Sequence, residues 1–538
     1  MSLQVQGISY IHPNKDLLFQ NISFSVSDGE KCAVVGNNGT GKSTLLKIMS
    51  GKLLPTTGKV ICDDAPYLVP QHFGQFDGLT VAEALGIDKK LKALSRILSG
   101  EGTENDYEIL DDEWDIQDRI SEAFARWQIE YISPDMAMAD LSGGEKTKVF
   151  LAGLQIFKPS IVLMDEPTNH LDTKGRGLLY EYIRGTNNTT IVVSHDRTLL
   201  KLLTETYELT SDGVKFYPVN YDAYREIVDA ELRSKTEQLK NRQKELAKAE
   251  KAARKTMERQ QKHSSRGEKQ SAKKCVARIA MGNLSDRSES TSSRLGKAQQ
   301  EKLEAMKREM HDLRSSIGEQ MEMKIDLSAS SLCEKKLLVE AKGLTFGYPD
   351  RETMWQQRPL DLSIFSGERI RIQGDNGCGK STLLKLIYGT LQTTDGKINR
   401  RDGLNIMYLD QEYSCIDDEL TVYGLLEVCG SNRPEHELKM LLNRFLFTSS
   451  MWDKKCGTLS GGEKMKLALC RLIVCGNAPD IIIADEPTNN LDISSIEILA
   501  NTLKTYSGTL IVISHDEQFI RDVGIDRAIN IDNKGIID

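Results

Sequence analysis

The sequence predicts an α/β protein: two copies of one unit, each built on a mainly parallel sheet, joined by a long antiparallel helical hairpin. Three observations carry this. Four motifs occur twice in the same order: GNNGTGKST at 36–44, LSGGE at 141–145, LMDEPTNHLD at 163–172 and VSHD at 193–196, then GDNGCGKST at 374–382, LSGGE at 459–463, IADEPTNNLD at 483–492 and ISHD at 513–516. Short apolar runs before Asp165 and Asp485 have the composition of strands buried on both faces. Between the copies, residues 223–266 contain neither Pro nor Gly.

Composition bounds the answer. A chain of 538 residues has room for several domain-sized cores. No stretch approaches the roughly 20 apolar residues of a spanning helix, and the start, MSLQVQGISYIHPNKD, lacks the pattern of a secretory signal. The ten cysteines show no CxxC pair and read as reduced thiols, so a cytoplasmic location is expected. Net charge is −8 but segregated. Residues 231–320 hold 23 basic and 13 acidic side chains, or +10, leaving 47 against 65, or −18, elsewhere. A basic segment between acidic bodies suggests a polyanionic partner, the alternative being a solvated helical spacer. The expected domains are 1–222, 223–336 and 337–538.

In each copy an apolar strand (Cys32 to Val35; Ile370 to Gln373) runs into the glycine loop and a helix follows (Leu45 to Met49; Leu383 to Ile387). That context makes the loop a phosphate binder, the P-loop of a nucleotide-binding domain. Backbone amides of Gly36, Asn37, Asn38, Gly39, Thr40 and Gly41 would turn toward phosphate oxygens, followed by Lys42, Ser43 and Thr44. The second loop offers Gly374, Asp375, Asn376, Gly377, Cys378 and Gly379, then Lys380, Ser381 and Thr382. The lysines would reach the terminal phosphates of ATP, and Ser43 and Ser381 would ligate Mg²⁺. Of each carboxylate pair at a strand end, Asp165 or Asp485 would hold the metal, and Glu166 or Glu486 would polarise the attacking water. His195 and His515 follow further apolar strands and could contact the γ-phosphate. Gln71 and Gln411, 29 and 31 residues after the lysines, are candidates to sense metal and water.

These motifs resemble the ABC ATPases over roughly 1–222 and 337–538. The resemblance implies two ABC-type cassettes stacked head to tail, each ATP lying between the loop of one and the LSGGE of the other. Site one would join Lys42, Asp165, Glu166 and His195 to Ser460, Gly461 and Gly462; site two would join Lys380, Asp485, Glu486 and His515 to Ser142, Gly143 and Gly144. The chain would then be a monomer with an intramolecular cassette dimer. Aligning GLTFGYP (343–349) with GISYIHP (7–13) puts Tyr348, at a position that stacks on adenine in this family, opposite His12, which stacks less well. Tyr10 aligns with Phe346 and is open to a core role.

DEPTNHLD at 165–172 resembles the ABC-F branch, twin-cassette proteins without membrane domains that act on ribosomes; the second copy departs with Asn490 in place of His170. Two spacings fit that branch. Gln71 to Ser142 is 71 residues and Gln411 to Ser460 is 49, so the first cassette carries about 22 more, expected within 83–128 as a helical arm. Residues 101–115 of that arm hold eight acidic and no basic side chains, which favours protein or solvent over RNA. In the linker, Val228, Leu232, Leu239, Leu246 and Ala253 recur mostly every seven residues, and Leu303, Met306, Met310, Leu313 and Ile317 step by three and four. Two helices over 223–262 and 294–322 follow as a coiled-coil hairpin, the first reaching about 60 Å. The expected tip, 263–293, with Lys262 at its border and Arg266, Lys269, Lys273, Lys274 and Arg278, suits phosphate-backbone contact with RNA.

The resemblance implies the ribosome as partner, through ribosomal RNA and tRNA, with the linker entering the tRNA exit site and pointing at the peptidyl-transferase centre. Long-tipped members include antibiotic-resistance proteins that protect the ribosome, and housekeeping members use the same parts. A DNA-associated or regulatory ABC ATPase is the alternative, though the C-terminal coiled coil of some DNA-linked relatives is not expected here. A transporter ATPase subunit fits DEPTNHLD and the lever less well.

Overall fold

The computed structural model describes residues 3–537 apart from 14, 211–212, 272–300, 302, 311–334, 349–352, 411–412, 431–432, 476–478, 490 and 533, with backbone alone at 257, 260–271 and 537. The described chain divides into two compact units, Met1–Asp222 with Met323–Asp538, and Ala223–Glu322.

Each cassette of the first unit is built around a six-stranded sheet of the described residues. In the first, the order is Tyr67–Val69, Ile161–Asp165, Thr189–Val193, Lys31–Val35, Glu205–Thr210, Gly213–Tyr217, parallel except for the closing hairpin. The second repeats it as Ile406–Leu409, Ile481–Asp485, Thr509–Ile513, Arg369–Gln373, Arg527–Asp532, Gly535–Ile537. A three-stranded antiparallel sheet accompanies each: Leu17–Val26, Leu3–Ile11 and Thr57–Cys62, or Leu360–Phe365, Leu337–Thr345 and Asp395–Arg400.

All five residues of Ile161–Asp165 and of Ile481–Asp485 are buried. Fully burying one such aliphatic side chain is worth about 1.5–3 kcal/mol, so the apolar runs anchor the sheet and leave only their terminal carboxylates at its edge. In each cassette the parallel ladders end at one rim, and there its glycine loop, carboxylate pair and histidine turn assemble. The helices after the loops begin at the lysines themselves, Lys42–Met49 and Lys380–Tyr388, capped by Gly41 and Gly379 in the left-handed region. A Cβ on Gly41 would lie 2.7 Å from Leu18, and one on Gly379 2.6 Å from buried Trp355. Only glycine fits both the angle and the gap.

Residues 83–128 of the first cassette contain Asp88–Leu98, Glu104–Leu110 and Ile116–Arg126. Six of the eight acids of 101–115 are exposed, and two are drawn inward. Asp106 is wholly buried and accepts from the amide and hydroxyl of Thr103, with Arg96 at 3.2 Å. Glu113 bridges Lys90 and Arg119, which also meets Asp115. Ile116, Ile120, Phe124 and Trp127 pack inward.

The second unit corrects the expected helix end. The helix runs Tyr221–Ser271, nine residues past 262, so the backbone at Lys262, Arg266 and Lys269 is helical rather than part of a loop. Lys, Arg, Gln and Glu are strong helix formers, and one Gly costs about 1 kcal/mol, too little to end a long helix. Lys273, Lys274 and Arg278 lie outside the described residues, as do Leu313 and Ile317. Residues 303–310 are helical, and Arg242–Glu309 (3.6 Å) and Glu250–Lys307 (3.3 Å) pair them antiparallel to the long helix. Leu239 and Leu246 are buried, and Leu303, Met306 and Met310 are the less exposed face of their turn.

Candidate active sites

Lys42 Nζ donates to the carbonyls of Gly36 (2.7 Å) and Asn37 (3.0 Å); Lys380 does the same to Gly374 and Asp375. These bonds hold the ammonium beneath the loop. Ser43 Oγ donates to Asp165 Oδ1, and Ser381 Oγ to Asp485 Oδ1, each at 3.1 Å. A hydroxyl and a carboxylate oxygen at that separation are a hard oxygen donor set of the kind Mg²⁺ takes. Burial raises both aspartates above the usual range, as for groups shaped to meet a cation.

Glu166 and Glu486 stand just beyond the strand ends in left-handed backbone, φ 48° each, anchored by amide bonds to Val193 (2.8 Å) and Ile513 (2.9 Å) carbonyls. Non-glycine residues rarely adopt this region and do so where function fixes the backbone. Burial pushes Glu166 up to about 8 and Glu486 to about 7; Lys42 opposes the rise at the first, and Arg176 most strongly at the second. His195 Nε2 lies 3.4 Å from Glu166 Oε1, and His515 Nε2 3.4 Å from Glu486 Oε1. Burial lowers both histidines to about 3, so the rings are neutral. At site one Glu166 Oε1 and His195 Nδ1 are buried without a hydrogen-bond partner, which suits a group that brings its own donors and acceptors.

The structure brings the two cassettes' candidates together. A cavity of about 440 Å³ is lined by His12, Asn38, Gly39, Gly41, Lys42, Ser43, Thr44, Gln71, Asp165, Glu166 and His195, with Ser460 from the other cassette. A larger one of about 1050 Å³ is lined by Tyr348, Asn376, Gly377, Gly379, Lys380, Ser381, Thr382, Asp485, Glu486 and His515, with Ser142, Gly143 and Gly144 opposite. Gly36, Asn37, Gly374 and Asp375 lie beneath the loops as acceptors for the lysines. Thr40 turns its hydroxyl onto the Asn37 carbonyl (2.9 Å), and Cys378 is buried, its carbonyl accepting from Trp355 Nε1. Gly461 and Gly462 open the helix behind Ser460 rather than lining the cavity. Gln411 lies outside the described residues. Both LSGGE serines cap their helices reciprocally with the glutamate three residues on. Tyr10 packs against the core and meets His12 edge-on at 5.4 Å.

Several contacts were not legible from the motifs. Tyr408 OH donates to Asp485 Oδ2 at 2.8 Å, whereas Leu68 holds the corresponding register position in the first cassette. Tyr348 OH lies 3.1 Å from Thr382 Oγ1. Across the cassettes, Asn376 Nδ2 donates to the His170 carbonyl (3.0 Å), Lys174 pairs with Asp375 (2.8 Å), and Arg197 pairs with Glu497 (2.7 Å). The second-cassette sequence ISSI after LD, against TKGR in the first, was the available sign that these contacts differ.

No helix among the described residues is long and apolar enough to cross a membrane. The sequence matches the ABC transporter family over residues 19–169 and 357–489. It is 30% identical to ABC transporter F family member 2 of Arabidopsis thaliana, covering 97% of this chain and 75% of that protein. It is 30% identical to the probable ATP-binding protein YbiT of Escherichia coli O157:H7 (97% and 94%), and 28% to the ATP-binding protein Uup of Escherichia coli K12 (94% and 76%). Among solved structures it resembles an archaeal ribosome recycling factor, aABCE1, in complex with the stalk protein aP1, with TM-score 0.58 at 20% identity over 97% of this chain and 87% of that one. Motifs, sheet order and relatives agree: the chain belongs to the F branch of the ABC family and is an ATPase with two ABC domains.

Proposed function

We propose that the protein is a cytoplasmic, monomeric ATPase that acts on the ribosome, ATP closing its two cassettes and hydrolysis reopening them. The observation that carries the reading is the reciprocal lining: Ser460 stands in the cavity of Lys42, and Ser142 in that of Lys380. Neither site is complete without the opposite cassette, so occupancy and closure are one equilibrium.

At each site the loop amides and lysine bind the phosphates, and the serine and aspartate hold Mg²⁺, with Gln71 and Gln411 contributing; the metal neutralises phosphate charge when bound. Glu166 and Glu486 orient the attacking water and accept its proton. His195 and His515, neutral, contact the γ-phosphate. Tyr348 stacks on the adenine of site two. The coiled-coil hairpin beginning at Ala223 carries Lys262, Arg266, Lys269, Lys273, Lys274 and Arg278 to ribosomal RNA and tRNA at the exit site. Its length suits action toward the peptidyl-transferase region, with protection against antibiotics as one form. Support comes from the ABC-F relatives and from fold neighbours described as a ribosome recycling factor and as ribosome-bound ABCE1 with Pelota.

The test is sedimentation of the Glu166→Gln, Glu486→Gln variant with purified ribosomes. ATP-dependent co-pelleting is expected; absence of pelleting with ATP demonstrably bound rejects the ribosome as partner.

A further inference from the structure

The two cavities are not held shut in the same way. The helix that follows LD in the first cassette, Thr173–Gly185, sends three side chains into the opposite site. Thr173 Oγ1 lies 3.3 Å from His515 Nδ1. Lys174 Nζ meets Asp375 of the glycine loop at 2.8 Å. Arg176 Nη1 donates to the His515 carbonyl at 3.3 Å while pairing with Asp196 at the same distance, and Tyr180 OH braces that aspartate at 2.6 Å.

The corresponding helix of the second cassette reaches across differently, Asp492 Oδ2 accepting from the Asn38 amide at 3.5 Å and Glu497 pairing with Arg197 at 2.7 Å, with no side chain hydrogen-bonded to His195 Nδ1. Its corresponding residues are Ile493, Ser494 and Ile496. Both isoleucines are buried, Ile496 in the core of its own cassette, and Ser494 Oγ turns back to Asp492 at 3.0 Å. The loop residue that would meet them is neutral Asn37 rather than Asp375. Consistently, His195 Nδ1 is buried without a partner, where His515 Nδ1 has Thr173.

From this asymmetry we infer that Thr173, Lys174 and Arg176 of the first cassette are positioning residues for site two, Thr173 fixing the tautomer of His515 when the cassettes close. Nε2 faces Glu486 Oε1 at 3.4 Å, which places the ring proton on Nε2 and leaves Nδ1 to accept from the threonine hydroxyl. The neutral ring that burial enforces is what permits this arrangement. Lys174 adds a salt link that ties the loop of site two to the same helix. Arg176 joins the turn after His195 to the turn at His515, so the histidine segments of the two sites share one guanidinium. Site two is therefore the site whose histidine is positioned by side chains of the opposite cassette. The inference rests on reading Glu486 and His515 as its catalytic groups.

The test uses the whole protein with Mg²⁺ and the non-hydrolysable analogue AMP-PNP, labelled with ¹⁵N at its eight histidines. His515→Gln identifies the His515 signals. Thr173→Val is expected to move the His515 ring-nitrogen resonances while Thr173→Ser restores them; Thr173 is exposed, so neither change threatens the fold. Unmoved His515 resonances in Thr173→Val overturn the inference. Turnover gives the second arm. In the Glu166→Gln background, Thr173→Val and Lys174→Ser should lower kcat about tenfold with KM within about twofold, the scale of a misoriented proton-transfer partner. A loss of equal size in the Glu486→Gln background would show a general effect on closure and also overturn it. If the Glu166→Gln, Glu486→Gln double variant itself turned over ATP at the parent rate, the catalytic assignment would fail while the resonance result still decided the contact.

Discussion

Glu166 and Glu486 are carboxylates that the fold buries against their own charge. A group whose pKa rises from 4.5 to about 8 binds more protons folded than unfolded, so its contribution to stability is largest at low pH and is lost as pH rises through that range. Gln carries no such penalty. Glu166→Gln is therefore expected to melt above the parent by a margin that opens above about pH 4.5 and levels off above about pH 8, and Glu486→Gln by one that levels off nearer pH 7. Melting temperatures across pH 4.5–9 check this; a constant margin would mean that these carboxylates are not buried as described. Gly144 gives a steric counterpart. A Cβ there would lie 2.7 Å from the His170 carbonyl, the same oxygen that accepts from Asn376 of the other cassette. Gly144→Ala should leave each cassette folded and reduce turnover at least tenfold, read from ATPase rate beside circular dichroism. The motif residues were legible because their spacing carries their chemistry. Tyr408 was not, since one tyrosine on a strand says nothing of what its hydroxyl meets until the neighbouring strand's register is fixed.

The elements divide along the same line. Strands and the helices after the glycine loops were legible from apolar runs and from glycines at fixed offsets, because local propensity and tertiary burial agree there. The long helix was legible in kind but not in length. Gly267 and the serines around it read as a boundary, yet the intrinsic preference of their neighbours carries the helix to Ser271. The acidic arm was legible in composition but not in detail: most of its acids are exposed, while Asp106 is buried beneath its own capping threonine. Asp106→Ala should destabilise the arm by roughly 1–3 kcal/mol through loss of a charged cap and its pairing with Arg96, seen as faster hydrogen exchange over residues 88–126. In the hairpin, Leu239→Ala with Leu246→Ala removes its buried contacts. Truncation of a core leucine costs about 2–5 kcal/mol, so exchange across 223–271 should accelerate; protection equal to the parent would mean that the helix does not need the helical residues 303–310 beside it.

At the scale of the molecule, cassettes carrying −17 net meet through a small set of opposite charges, among them Lys174–Asp375, Arg197–Glu497 and Arg197–Asp522. Exposed pairs are screened by salt. ATP-driven closure, followed by energy transfer between labels on the two cassettes, should weaken severalfold between low salt and about 0.5 M, while nucleotide capture by the loops alone should change less. Overall topology was legible because the motif set repeats whole; what lay beyond the sequence was which side chains meet across the cassettes.

That each lysine's cavity is finished by a serine from the other half bears on concentration as much as on chemistry. Separate cassettes would have to find each other in solution, and turnover would scale with the product of their amounts. A tether converts that encounter into an internal one at an effective concentration set by chain length, on the order of millimolar for a short flexible link. Turnover per molecule of the intact chain should then be independent of dilution. Severing the chain between the halves would make the same residues, with the same geometry, a dilution-sensitive pair.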